Sequence, residues 1–198
     1  MAITIDGDGT ITGVSVGGLP DGIVDTDMIA AGAVTQAKRG AASGTNSGLL
    51  QIVQATKTDQ FSTTSTSYVD VTGLSVSITP SSTSNKILVL AMVALGGPQN
   101  GVIIGKVLRG TTDLLVGDAS SSRTRGNFSL ITYGIETTMP TCNFQYLDSP
   151  GSTSEQTYKV QVVSPAGETG GVNRTGFHGD NSSYPVGASS ITVMEIAA

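Results

Sequence analysis

The sequence predicts an all-β protein: a jelly-roll-like antiparallel β-sandwich, preceded by an extended N-terminal arm that carries a short β-hairpin. Three observations lead there. Only 13% of the 198 residues are charged and 26 are glycine, a composition that, with its β-branched residues and Ser/Thr tracts, favours short strands joined by turns over disorder. Strand-like runs recur between turn residues from Leu49 to Ile196, with no amphipathic helical repeat among them. Finally, Ile87–Leu95 is a stretch of nine residues without a polar side chain, opened by the turn-rich Pro80–Asn85 and closed by Gly96-Gly97-Pro98. It is shorter than most helices and punctuated as a strand.

Taken in order, Ile3–Val14 alternates apolar and polar residues around an Asp-Gly pair, which predicts a hairpin. Asp6 and Asp8 also suggest a calcium loop, but with these as its third and fifth positions the twelfth falls on Ser15 instead of Glu. Gly22–Gly40 repeats weakly with a step of ten, Gly22–Met28 against Gly32–Lys38. Two units are too few to stack into a solenoid, so the segment reads as an arm ordered by neighbouring chains. Ala41–Gly48 is small and polar and makes the best domain boundary, giving an arm over residues 1–48 and a sandwich over 49–198.

Within the sandwich, strands are predicted at Leu49–Thr58, Tyr68–Thr79, Ile87–Leu95, Val102–Arg109, Asp113–Val116, Phe128–Glu136, Cys142–Leu147, Tyr158–Val163 and Ile191–Ile196, with a hairpin turned at Gly110. A sheet of this many strands folds into two layers. The strand Ile87–Leu95 is unusual because both of its faces are apolar, Ile87, Val89, Val93 and Leu95 on one and Leu88, Leu90 and Met92 on the other. A sandwich covers one face of a strand from within. The other is expected to meet a second copy of the chain, or else a loop or the arm of the same chain.

Composition narrows the function. A net charge of −5 gives no general attraction to nucleic acid or to anionic membranes. The single Cys142 excludes an intrachain disulfide, no run is long enough to span a membrane, and the N-terminus has no signal-peptide pattern, so a chain kept soluble is expected. No catalytic constellation stands out and no cofactor is implied. The sole His178 has no Gly-x-Ser-x-Gly partner motif, and one His with one Cys cannot build a zinc site. Asp148, Glu155, Glu168 and Asp180 are the carboxylates a glycan-cleaving enzyme would draw on, yet all four lie among turn residues.

The informative loops are Ser164–Gly187 and Ala119–Asn127. The first sets Asn173, Arg174, Phe177, His178 and Tyr184 among six glycines, a mixture of aromatic and hydrogen-bonding side chains suited to a polar surface such as a glycan. Equally, Phe177 and Tyr184 would anchor a plain surface loop. The second loop carries Arg123 and Arg125, candidates for contact with an acidic partner or anionic sugar.

Three stretches carry a resemblance: Ile11–Gly22, Gly32–Lys38, and Ser65–Pro80 running into the apolar strand. Through them the whole chain resembles the small tail-fibre and appendage proteins of tailed bacteriophages, particularly those infecting cyanobacteria and related marine bacteria. The resemblance implies a non-enzymatic structural protein of the virion and a homotrimer. It further implies attachment to tail, baseplate or collar proteins through residues 1–40 and an outward sandwich meeting a host-surface glycan or protein. It transfers no site residues. The short chain leaves room for only a short shaft, which keeps a head fibre, collar or decoration protein of purely architectural role as the alternative.

Overall fold

The computed structural model describes residues 4–5, 11–12, 48–134, 137–177 and 179–198. The chain divides into two units, residues 1–46 and Ser47–Ala198. In the first, strands β1 (Thr4–Ile5) and β2 (Ile11–Thr12) pair antiparallel with Thr4 opposite Thr12, as a hairpin requires. The calcium reading at Asp6 and Asp8, the repeat Gly22–Gly40 and the attachment segment 1–40 otherwise lie outside the described residues.

The second unit is a sandwich of two antiparallel sheets. Its strands are β3 (Leu49–Lys57), β4 (Phe61–Thr63), β5 (Val69–Ile78), β6 (Lys86–Gly96), β7 (Val102–Arg109), β8 (Thr112–Asp113), β9 (Phe128–Ile131), β10 (Thr141–Asp148), β11 (Gln156–Val163), β12 (Gly170–Val172) and β13 (Ser189–Ile196). The first sheet runs β3-β13-β6, after which β6 pairs with β10 along most of its length and with β12 at its C-terminal end, and β4 follows β12. The second runs β5-β11-β7, with β8 and β9 on the far side of β7. The predicted two-layer sandwich is what the chain forms, and these pairings do not establish a jelly-roll weave.

Several predicted strands change extent. Asp113–Val116 shrinks to Thr112–Asp113 because Leu115 takes a left-handed φ of 48°. Phe128–Glu136 stops at Ile131, where the Thr132 hydroxyl turns to the Pro98 carbonyl, and its residues 135 and 136 lie outside the described set. The Ser164–Gly187 stretch is not structureless. It contains β12, whose Gly170-Gly171 pair lets the backbones come close: a Cβ on Gly171 would stand 2.4 Å from the Phe61 carbonyl oxygen.

Alternation decides what enters the core. Val71, Leu74, Val76 and Ile78 of β5 and Tyr158, Val160 and Val162 of β11 meet Ile87, Val89, Val93, Ile191 and Val193 of the first sheet. Three polar clusters hold the layers in register. Asp148 on β10 accepts from Arg109 Nη1 at 2.7 Å and from the Tyr158 hydroxyl at 2.8 Å, tying the first sheet to the second. This apolar, carboxylate-facing setting pushes the Tyr158 phenol well above its ordinary range, chiefly through burial.

Glu195, 1% exposed, accepts from Asn85 Nδ2 (2.6 Å), Gln51 Nε2 (2.6 Å), Ser81 N–H (2.6 Å) and Ser81 Oγ (2.8 Å). These bonds seal the end where the chain enters at Gly48 and leaves at Ala198, with Ala197 N–H donating to the Gly48 carbonyl. The third cluster, around Asn173, seals the other end.

Candidate functional site

Because every pairing is antiparallel, connections are sorted to two ends. The β5–β6, β7–β8 and β10–β11 turns share the end of Leu49 and Ile196. The β6–β7, β9–β10 and β11–β12 loops, together with residues 173–188, gather at the opposite end. Two surface features follow from this sorting, one on the flank of the first sheet and one at its loop end.

The flank is the outward face of the first sheet. Register sets Ile52, Met194, Leu88 and Leu147 side by side across β3, β13, β6 and β10. The next row is Gln54, Thr192, Leu90 and Gln145, and the third is Thr56, Ser190, Met92 and Asn143. No charged side chain occurs in these three rows, Lys86 at the entry end of the same face being turned to Ser149 Oγ at 2.8 Å, and Ile52, Leu147 and Met92 are 53%, 53% and 42% exposed. The second sheet's outward face is the reverse: Asp70 pairs with Lys159 at 2.9 Å and Lys106 with Asp113 at 2.7 Å, a solvated surface.

This splits the residues expected at a chain-to-chain interface. Ile87, Val89, Val93 and Leu95 are fully buried inside their own sandwich and form the face that is covered from within, and alternation leaves the other set outward. Leu88, Leu90 and Met92 carry the outward face. Part of the alternative also holds, since Gly187 of the loops, with Met139 beside it, lies over Ala94, the last outward residue of β6. Among the described residues nothing from the sandwich covers the rest.

At the loop end, Asn173 is no receptor contact. It is fully buried with φ 61°, donates Nδ2 to the Lys57 and Asp59 carbonyls (2.8 and 3.0 Å) and accepts from Ser189 Oγ (2.6 Å). Its backbone N–H donates to the Ala94 carbonyl and its own carbonyl accepts from Gly187 N–H. An isolated bridge between Arg174 and Val186 extends this closure and clamps the base from which residues 175–177 and 179–185 run.

The loop projects Phe177, 42% exposed, against Tyr184 with ring centres 5.4 Å apart at 67°, an edge-on contact that fixes the Phe177 ring. The two aromatics therefore pack on one another. Arg174 lies across Gly171, whose Cβ would stand 2.7 Å from its Cγ and Cδ, and burial lowers its pKa. Together Gln99, Glu168, Thr169, Arg174, Gly176 and Phe177 line a cleft of about 330 Å³. Thr169 also borders a neighbouring cleft of about 440 Å³ lined by Ser62, Thr63, Thr64 and Ser65.

Arg123 and Arg125 are exposed but belong elsewhere, in a loop along the β7 edge of the second sheet. There Arg125 Nε donates to the Gly117 carbonyl at 2.5 Å, and its own carbonyl accepts from the Tyr68 hydroxyl. His178 lies outside the described residues. Of the four carboxylates, Asp148 is buried in its ion pair, Glu155 sits at the entry end, and Glu168 and Asp180 lie at the loop end. Sequence reasoning missed Gln99, Thr169 and the hydroxyl row. Gln99 is far from Glu168 along the chain, and only the antiparallel sorting of loops brings them together.

Comparison of the sequence with models of known families and with curated proteins finds no match. The class the geometry defines is a β-sandwich with one uncharged, partly apolar flank and a polar cleft at the end remote from chain entry.

Proposed function

We propose that this chain is a non-enzymatic structural protein of a bacteriophage virion, a homotrimeric tail fibre that attaches the particle to its host surface. The observation that carries the reading is the uncharged flank with its row Ile52, Met194, Leu88 and Leu147. A second copy is the occupant that such a face suits, since two uncharged faces meet without burying like charges, whereas a charged partner would leave its own groups unpaired. The number three comes from the resemblance of the sequence to phage fibres. The separation of chain entry from the loop cluster supports an attachment role, because the described chain enters the sandwich at Gly48 at one end and the cleft opens at the other.

Native mass spectrometry of the full chain, with adsorption of the purified protein to a panel of cyanobacterial and other marine bacterial cells, tests this. A trimer that adsorbs is the expected result. A monomer removes the flank as an interface, and a trimer that adsorbs to nothing favours the architectural alternative of head fibre, collar or decoration protein. Deleting residues 1–40 should leave the sandwich folded while abolishing incorporation into particles, which gel analysis of purified virions reads directly.

A further inference from the structure

We infer that the cleft between Gln99, Glu168, Arg174 and Phe177 is a binding site for a neutral saccharide chain, an inference that rests on the attachment reading above and assigns its ligand class. Phe177 is held by Tyr184 and still presents 42% of its surface, so a flat apolar face is fixed in place before any ligand arrives. The C–H face of a pyranose ring is the complement of such a platform, and rigid aromatics give contact area at low entropic cost.

Around that platform stand an amide, a carboxylate and a guanidinium, each able to engage vicinal hydroxyls with two atoms at once. Among the described residues the Arg174 guanidinium makes one hydrogen bond, Nε to the Thr175 carbonyl at 3.2 Å, and no ion pair joins it to Glu168. Both groups therefore face the cleft with hydrogen-bonding capacity in hand.

Charge chooses among saccharides. One guanidinium and one carboxylate leave the cleft with no net charge, and a chain carrying −5 repels acidic polymers at long range. A neutral sugar satisfies both groups through its hydroxyls, whereas a uronic acid pairing with Arg174 would bring a second carboxylate into the cleft that already holds Glu168. The ligand extends beyond one ring, because Thr169 links this cleft to the one lined by Ser62, Thr63, Thr64 and Ser65, a row of hydroxyls suited to the next unit.

The test uses the full-length protein against immobilised short oligomers of glucose, galactose and mannose, with oligomers of galacturonate and mannuronate as acidic counterparts. Binding to at least one neutral oligomer, little affected by added salt, is expected, with a loss of about tenfold in affinity for Phe177→Ala. Gln99→Ala, in an exposed turn, serves as the second variant if Phe177→Ala fails to fold, and should also weaken binding. Saturation-transfer NMR should place the sugar protons against aromatic protons. No binding to any neutral oligomer, preference for the acidic set, or binding unchanged in both variants overturns the assignment. A trimer that adsorbs to cells yet ignores neutral sugars removes the cleft and leaves the attachment reading. Sugar binding without adsorption to any cell does the reverse.

Discussion

Glu195 shows how one side chain makes the sandwich sensitive to acid. Burial alone would raise its pKa, but the bonds from Asn85, Gln51 and Ser81 stabilise the charged form more strongly and hold it down to about 2. A carboxylate with a folded pKa below its unfolded value of 4.5 contributes stability that is complete above about pH 4.5 and disappears as pH falls towards 2. With allowance for solvent screening, the shift corresponds to about 1–2 kcal/mol. Glu195→Gln should therefore lower stability near neutral pH by a similar amount, because a neutral amide meets donors with a donor of its own. It should also flatten the acid limb of the melting temperature measured by calorimetry across that window. Asn173 is the corresponding residue at the loop end. Asn173→Ala removes three side-chain hydrogen bonds and puts a Cβ-bearing residue without local compensation at φ 61°. A loss of about 4 kcal/mol in urea unfolding is expected, at about 1 kcal/mol for each bond and for the backbone strain.

At the scale of elements, β6 is the case in which sequence and structure can be compared step by step. Its place as a central strand was legible, since nine apolar residues between turns admit few other readings. Which of its faces belongs to the core was not. That depends on which parity the flanking β13 and β10 match, and Val193 and Tyr146 opposite Val89 settle it. The boundaries of β5, β7 and β10 fell within a residue or two because alternation and turns agree there. β4 and β12 escaped notice because Phe61–Thr63 and Gly170–Val172 are too short for a period to show, and two glycines in β12 speak against a strand until a close neighbour explains them. The loop residues of the site were half legible: Phe177, Tyr184 and Arg174 stood out by type, while the burial of Asn173 was invisible without its partners. The outward parity carries its own prediction. Leu88→Asp places a carboxylate between Met194 and Leu147, where the isolated sandwich tolerates it at about 1 kcal/mol but an assembled face would bury it unpaired at several. Sedimentation should show a folded monomer, while Ser75→Asp on the solvated face of β5 should leave the native mass unchanged.

The whole molecule joins these parts through geometry, because its flank and its cleft are separate surfaces. A single shallow cleft of about 330 Å³ open to solvent is suited to weak binding. Weak sites become useful when several act together, since the second contact on a repetitive surface is made at the effective concentration set by the first, with gains of roughly 10² to 10⁴ over one site. If the flank assembles copies and the cleft binds sugar, Leu88→Asp should divide the two properties cleanly. Its affinity for a soluble short oligosaccharide, measured by calorimetry per chain, should match that of the parent, because the cleft at the loop end does not touch Leu88. Its retention on a dense surface of the same sugar should fall by roughly 10² or more, because only one site is left to rebind. Equal retention by monomer and assembly would mean that the copies are not arranged so that their clefts reach one surface together, and the flank would then serve construction of the particle and not adhesion.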